Sequence, residues 1–71
     1  MNQAIIFIQA IGQELTEMNP LLQDILYVLE DGDAMERMGV TDDDQELVEE
    51  AHSWVQSWID EGKQYLGQCQ F

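Results

Sequence analysis

Between residues 41 and 61 apolar and acidic side chains separate with the period of an α-helix, about 3.6 residues per turn. At ~100° per residue, Leu47, Val48, Ala51, Trp54, Val55, Trp58 and Ile59 fall on one side. Asp42, Asp43, Glu46, Glu49, Glu50, Asp60 and Glu61 fall on the other, and Ser53 and Ser57 lie between them on the polar side. A strand would need alternation every second residue, which this stretch lacks. Thr41 is the expected N-cap, and Asp42, Asp43 and Asp44 fill a first turn whose dipole favours negative charge. Gly62 is expected to end or loosen the helix. Tyr65 and Leu66 continue the apolar phase, so a last turn can dock before a loose tail at 69–71.

An amphipathic helix must bury its apolar stripe against another element, and the chain supplies two further stripes. Ala4, Ile8, Ile11, Leu15 and Met18 recur at alternating spacings of four and three over residues 2–18, with Phe7 at the border. Residues 5–8 alone also fit a short β-branched strand, but the continuing period through Leu15 favours helix. Asn19-Pro20 ends this segment, and Pro20 suits the first turn of the next. Over residues 20–31, Leu22, Ile25, Leu26 and Leu29 form the next stripe. Gly32 reads as a left-handed helix stop, Asp33 and Glu36 have capping-box spacing for one further turn, and Gly39 ends it.

The expected fold is therefore all-α: a small three-helix bundle, one acidic domain over residues 1–68. Its expected core is Ile8, Ile11, Leu15, Leu22, Ile25, Leu26, Leu29, Trp54, Val55, Trp58 and Ile59. Such a core supplies only ~3–5 kcal/mol at this size, and clustered carboxylates reduce it. The chain thus has a reason to form a homodimer or to dock on a partner. Ile5, Ile6, Tyr27 and Val28, which lie off the stripes, are the expected contact.

Charge decides which functions are open. Among 71 residues, 15 are acidic and 2 basic, a formal net charge of −13. Arg37 and Lys63 cannot make the cationic footprint that direct nucleic-acid binding needs, and an anionic membrane surface would repel the chain. At 45% hydrophobic residues the chain is too apolar for a disordered acidic tail. The run Ala4-Ile5-Ile6-Phe7-Ile8 has no preceding Lys or Arg and is too short for a signal peptide or a span of ~20 apolar residues. The lone Cys69 excludes an intrachain disulfide and reads as an exposed tail thiol. A cytoplasmic location is the default expectation.

No nucleophile constellation or phosphate-cradling glycine loop accompanies Ser53, Ser57, Thr41 or Cys69, so the chain is not expected to be an enzyme or to carry a cofactor. Asp31-Gly32-Asp33 and Asp42-Asp43-Asp44 fail the register of a calcium loop. Glu49-x-x-His52 has the spacing of one di-iron motif, but a metal site would need a dimer with Glu14 or Glu17 as extra ligands. His52 reads more simply as a boundary histidine hydrogen-bonded to a neighbour, and Trp54 and Trp58 as core anchors.

The acidic surface remains. Of the 15 acids, 10 lie between Glu30 and Glu50. The outward carboxylates of the last helix recur about every 4 Å of helix rise, against ~3.4 Å per phosphate along a nucleic-acid strand. Asp42, Asp43, Glu46, Glu49 and Glu50 thus form one anionic row, and Glu30, Asp31, Asp33 and Glu36 at the preceding corner form a second. Together they suit a basic, nucleic-acid-binding groove on a partner protein. The overall type resembles the small acidic inhibitors that bacteriophages and mobile elements direct at host nucleic-acid-binding proteins. That resemblance lies in size, charge and helicity and assigns no residue a role. The alternative is a helical adaptor or assembly subunit that docks through apolar residues, its acids serving solubility. A dimeric carboxylate and histidine metal site is the third expectation.

Overall fold

The computed structural model describes residues 2–15 and 20–69, and among them it contains four α-helices, two 3₁₀ turns and no strand. The fold class is all-α. The helices are α1 (Gln3–Leu15), α2 (Leu22–Glu30), α3 (Gly32–Arg37) and α4 (Gln45–Asp60). Met18, Asn19 and Glu17, which the sequence reading uses, lie outside the described residues, as do Gln70 and Phe71.

Residues 5–8 are helical, within α1. Asn2 caps that helix, its Oδ1 accepting from the Ala4 N–H at 2.8 Å. The side-chain amide of Asn2 also donates to Glu50 Oε1 at 3.3 Å, which brings the start of α1 beside α4. At its other end Gly12 lies against Leu66 and Pro20. Helix α2 runs antiparallel to α4: Leu22 meets Gln64 at one end, and Glu30 meets His52 at the other.

Ala4, Ile8, Ile11, Leu22, Ile25, Leu26, Leu29, Met35, Val48, Ala51, Val55 and Trp58 form the core. The i, i+3, i+4 stripes of α1, α2 and α4 thus meet as their spacing requires. Three expected core residues differ. Leu15 is 42% exposed and Trp54 36% exposed, and Ile59 is only partly buried. Leu15 ends its helix, and Trp54 sits on the edge of the α4 stripe, its ring 5.8 Å from Trp58 and tilted by 49°. Ala34, Met35 and Val48 are buried in addition.

The joints depart most from expectation. Gly32 is no helix stop, for it begins α3. Asp31 turns the chain alone: its extended backbone closes α2 and its side chain opens α3. Its Oδ1 accepts from the N–H groups of Asp33 at 3.0 Å and Ala34 at 3.4 Å, which replaces the expected Asp33/Glu36 box. Gly39 and Gly62 are left-handed, with φ of 81° and 92°. Each closes its helix with the same paired bonds. After α3, Gly39 N–H bonds Glu36 C=O and Val40 N–H bonds Met35 C=O. After α4, Gly62 N–H bonds Ile59 C=O and Lys63 N–H bonds Trp58 C=O.

Pro20 lies before α2 rather than in its first turn. The cause is tertiary. Leu21 and Tyr65 form an antiparallel bridge, in which Leu22 N–H bonds Gln64 C=O at 2.8 Å and Leu66 N–H bonds Pro20 C=O at 3.0 Å. This pairing keeps the chain extended at 20–21 and straps residues 63–69 across the end of the helices. Cys69 is accordingly buried at 7% exposure, not part of an exposed tail.

Candidate partner-binding surface

A 3₁₀ turn at Asp42–Asp44 precedes α4, so the acid run enters its helix in two steps. Asp44 is spent locally: its Oδ2 accepts from the Thr41 N–H at 3.2 Å and from the Thr41 hydroxyl at 3.3 Å. Thr41 therefore caps the 3₁₀ turn rather than α4 itself. Asp42, Asp43, Glu46, Glu49 and Glu50 are all exposed.

The fold divides those five acids between two recesses on opposite flanks of α4. Asp43, Glu46 and Glu50, with Asp44 and Leu47, face Asn2 and Gln3 across a recess of about 470 Å³. Asp42 instead joins Glu30 and Glu36 around a cleft of about 580 Å³ between the α2–α3 corner and α4. Leu29, Met35, Val40 and Val48 line the same cleft. Glu49 borders its continuation, a recess of about 260 Å³ shared with Leu29, Glu30, Val48 and His52. Of the expected second row, Glu30 and Glu36 thus reach the cleft. Asp31 is committed to capping α3, and Asp33 lies exposed in the first turn of that helix, lining neither recess.

His52 bridges α2 and α4, its Nε2 lying 3.0 Å from Glu30 Oε1. The partly exposed pair is a boundary contact between helices. Glu49 adjoins it, but among the described residues no three His, Cys, Asp or Glu side chains are grouped to hold a metal ion. Glu14 is exposed on α1, and Glu17 lies outside the described residues. The Cys69 thiol is pushed above the ordinary thiol range, first by burial, while Lys63 opposes and Glu61 reinforces the shift.

Sequence reasoning missed the cleft because its floor comes from the α2–α3 joint. Met35 and Val40 signal it only once Gly39 is known to fold them together. Trp54 stands exposed beside Glu50, Ser53 and Ser57. No helix of the described residues is long and apolar enough to cross a membrane. No protein-family model, curated protein or solved structure matches this chain.

Proposed function

We propose that this protein is a non-catalytic binding protein, acting in the cytoplasm as an inhibitor or modulator of a protein with a basic surface. Its anionic rows occupy a groove that otherwise holds nucleic acid. The observation that carries this reading is the exposure of Asp42, Asp43, Glu46, Glu49 and Glu50 on the two flanks of one 3₁₀-to-helix run. At ~1.5 Å rise per residue their separations are of the order of the phosphate spacing. Each carboxylate acts as a point anion against Lys or Arg, and their summed field raises the rate of encounter more than the final affinity. In this reading the scaffold is a three-helix bundle of α1, α2 and α4, with α3 as its corner.

The test is capture of partners from a lysate by wild type and by an Asp43→Lys, Glu46→Lys, Glu50→Lys variant. Wild type should retain nucleic-acid-binding proteins, release them as salt rises, and lose them to added nucleic acid. The variant should retain none, because like charges then face each other across the contact. A variant that still bound the same protein within a few-fold at low salt would end the mimic reading.

One observation favours a second reading, an adaptor or homodimer docking through apolar residues. Ile6 is 48% and Tyr27 60% exposed, while Ile5 and Val28 are half-buried. Binding would then survive the charge reversal and fail on substitution of Ile6 or Tyr27.

A further inference from the structure

We propose that the cleft between the α2–α3 corner and the first half of α4 receives a cationic amphipathic helix of the partner protein. The inference takes the partner's positive charge from the proposed function. It adds a concave site and the shape of its occupant.

The cleft combines two chemistries. Its floor is the half-buried Val40 above the edges of the buried Leu29, Met35 and Val48. Its rim is Glu30 and Glu36 on one side and Asp42 on the other, and Glu49 extends the anionic edge past Gln45. Neither Arg37 nor Lys63 lines it; His52 pairs with Glu30 at 3.0 Å, and Glu36, Asp42 and Glu49 face the cleft with neither Lys nor Arg beside them in its lining. A polycation without an apolar stripe would leave the floor wet. A purely apolar helix would leave the carboxylates facing its sides. An apolar stripe flanked by Lys or Arg satisfies both.

Length and backbone chemistry select a helix over an extended peptide. The groove follows α4 from Gln45 to His52, and seven residues at ~1.5 Å each span ~10 Å. That is the distance between the first and last anchors of an i, i+3, i+4, i+7 stripe. Its volume of about 580 Å³, continued by about 260 Å³, accommodates several side chains rather than one. The walls are helices α2, α3 and α4 and the segment 40–42, in which the N–H groups of Val40 and Thr41 already bond Met35 C=O and Asp44 Oδ2, so neither is left to pair with a strand. A helical occupant brings its backbone already satisfied.

The test uses a synthetic Leu/Lys peptide of about 15 residues, long enough to form an isolated helix, with leucines at i, i+3, i+4 and i+7. Its control is a scrambled isomer of the same charge. Both are titrated into ¹⁵N-labelled protein and by calorimetry. The striped peptide should bind at least ~10-fold more tightly, the worth of one buried leucine, and should shift the amides of Met35, Val40 and Val48. Gly32 supplies the blocking variant: it is helical, it lines the cleft, and a Cβ built on it meets no atom within 4 Å. Gly32→Leu should therefore keep the melting temperature and reduce the striped peptide to the level of its isomer. Glu36→Lys, on the exposed rim, should weaken binding without touching the floor. Equal binding of the two peptides would overturn the proposal. So would a Gly32→Leu or Glu36→Lys protein that bound the striped peptide like wild type, or shifts confined to Glu46 and Glu50. The Asp43, Glu46 and Glu50 reversal leaves the cleft intact. Loss of the natural partner there, with no preference for the striped peptide, sinks the cleft and spares the proposed function. The opposite pattern does the reverse.

Discussion

The two ends of the molecule are built on different terms. At one end residues 63–69 strap across α1 and α2: Leu66 packs on Gly12, Leu21 pairs with Tyr65, and Cys69 is buried. Gln68 Oε1 finishes the strap by accepting from the N–H groups of Gln64 at 2.7 Å and Tyr65 at 2.8 Å. At the other end the α2–α3 corner and the start of α4 carry most of the acids, and the helices there stand apart around a cleft. The acidic end adds caps to its buried Leu29, Met35 and Val48: Asp31 on α3, Asp44 on Thr41, and the paired bonds after Gly39. Local hydrogen bonds of this kind order a turn without demanding the burial that neighbouring carboxylates would oppose. An end ordered in this way can keep its anions solvated and available.

The largest effect expected from breaking the closed end is at Trp58. It is 4% exposed, and its C=O accepts from the Lys63 N–H where the strap begins. Trp58→Ala should cost ~3–5 kcal/mol, comparable with the whole stability of a domain this size. Thermal unfolding should lose its cooperativity. A variant that still melted cooperatively near the wild-type temperature but failed to bind its partner would move Trp58 from core to interface.

A smaller break is available at Gly12. A Cβ there would lie 2.7 Å from Leu66 Cδ2 and 3.0 Å from Pro20 Cγ. The leucine methyl can swing away, but the proline ring is fixed by its bridge, so the closed end must give. Gly12→Val should cost ~1–3 kcal/mol, beyond the few tenths that replacing glycine returns in helix propensity. Its cost should fall on the strap, exposing the Cys69 thiol to alkylation at a higher rate than in wild type. Unchanged stability and thiol reactivity would show that the strap does not depend on close approach at Gly12.

The same contrast explains what the sequence made legible. The stripes of α1, α2 and α4 could be read because burial on one face imposes a period that the apolar residues must follow. Gly39 and Gly62 could be read because the left-handed turn penalises a Cβ. The strap could not: its hydrogen bonds join residues 20–22 to 64–66, and a single extended bridge leaves no periodic trace. Asp31 was hidden by Gly32, whose freedom suggested a stop where a side-chain cap already turned the chain. Trp54 and Leu15 show the limit of projecting a stripe, since position on a helix face fixes direction but not whether a neighbour reaches that far. The acidic residues of the proposed surface were legible individually. Their division between two recesses was not, because it depends on where α1 and α3 flank α4.

The smallest effect sharpens the comparison from the acidic end. Glu46 and Glu50, both on α4, are like-charged neighbours one turn apart, a pair that costs ~0.2–0.5 kcal/mol. The first-turn acids also gain ~0.3–1 kcal/mol from the helix dipole, and salt screens that gain along with the repulsion. The dipole term acts only on charges in the first turn, whereas repulsion sums over a formal net charge of −13 that only 2 basic residues offset. Repulsion should win, so raising sodium chloride should raise the melting temperature as the Debye length falls from ~10 Å at 0.1 M to ~3 Å at 1 M. The Asp43, Glu46 and Glu50 reversal should flatten that dependence, because it removes the repulsion at its densest point. Gly12→Val should melt lower at every salt concentration with the slope of wild type, because it acts where few charges lie. If the two variants shifted the slope alike, the repulsion would not be concentrated at the acidic end.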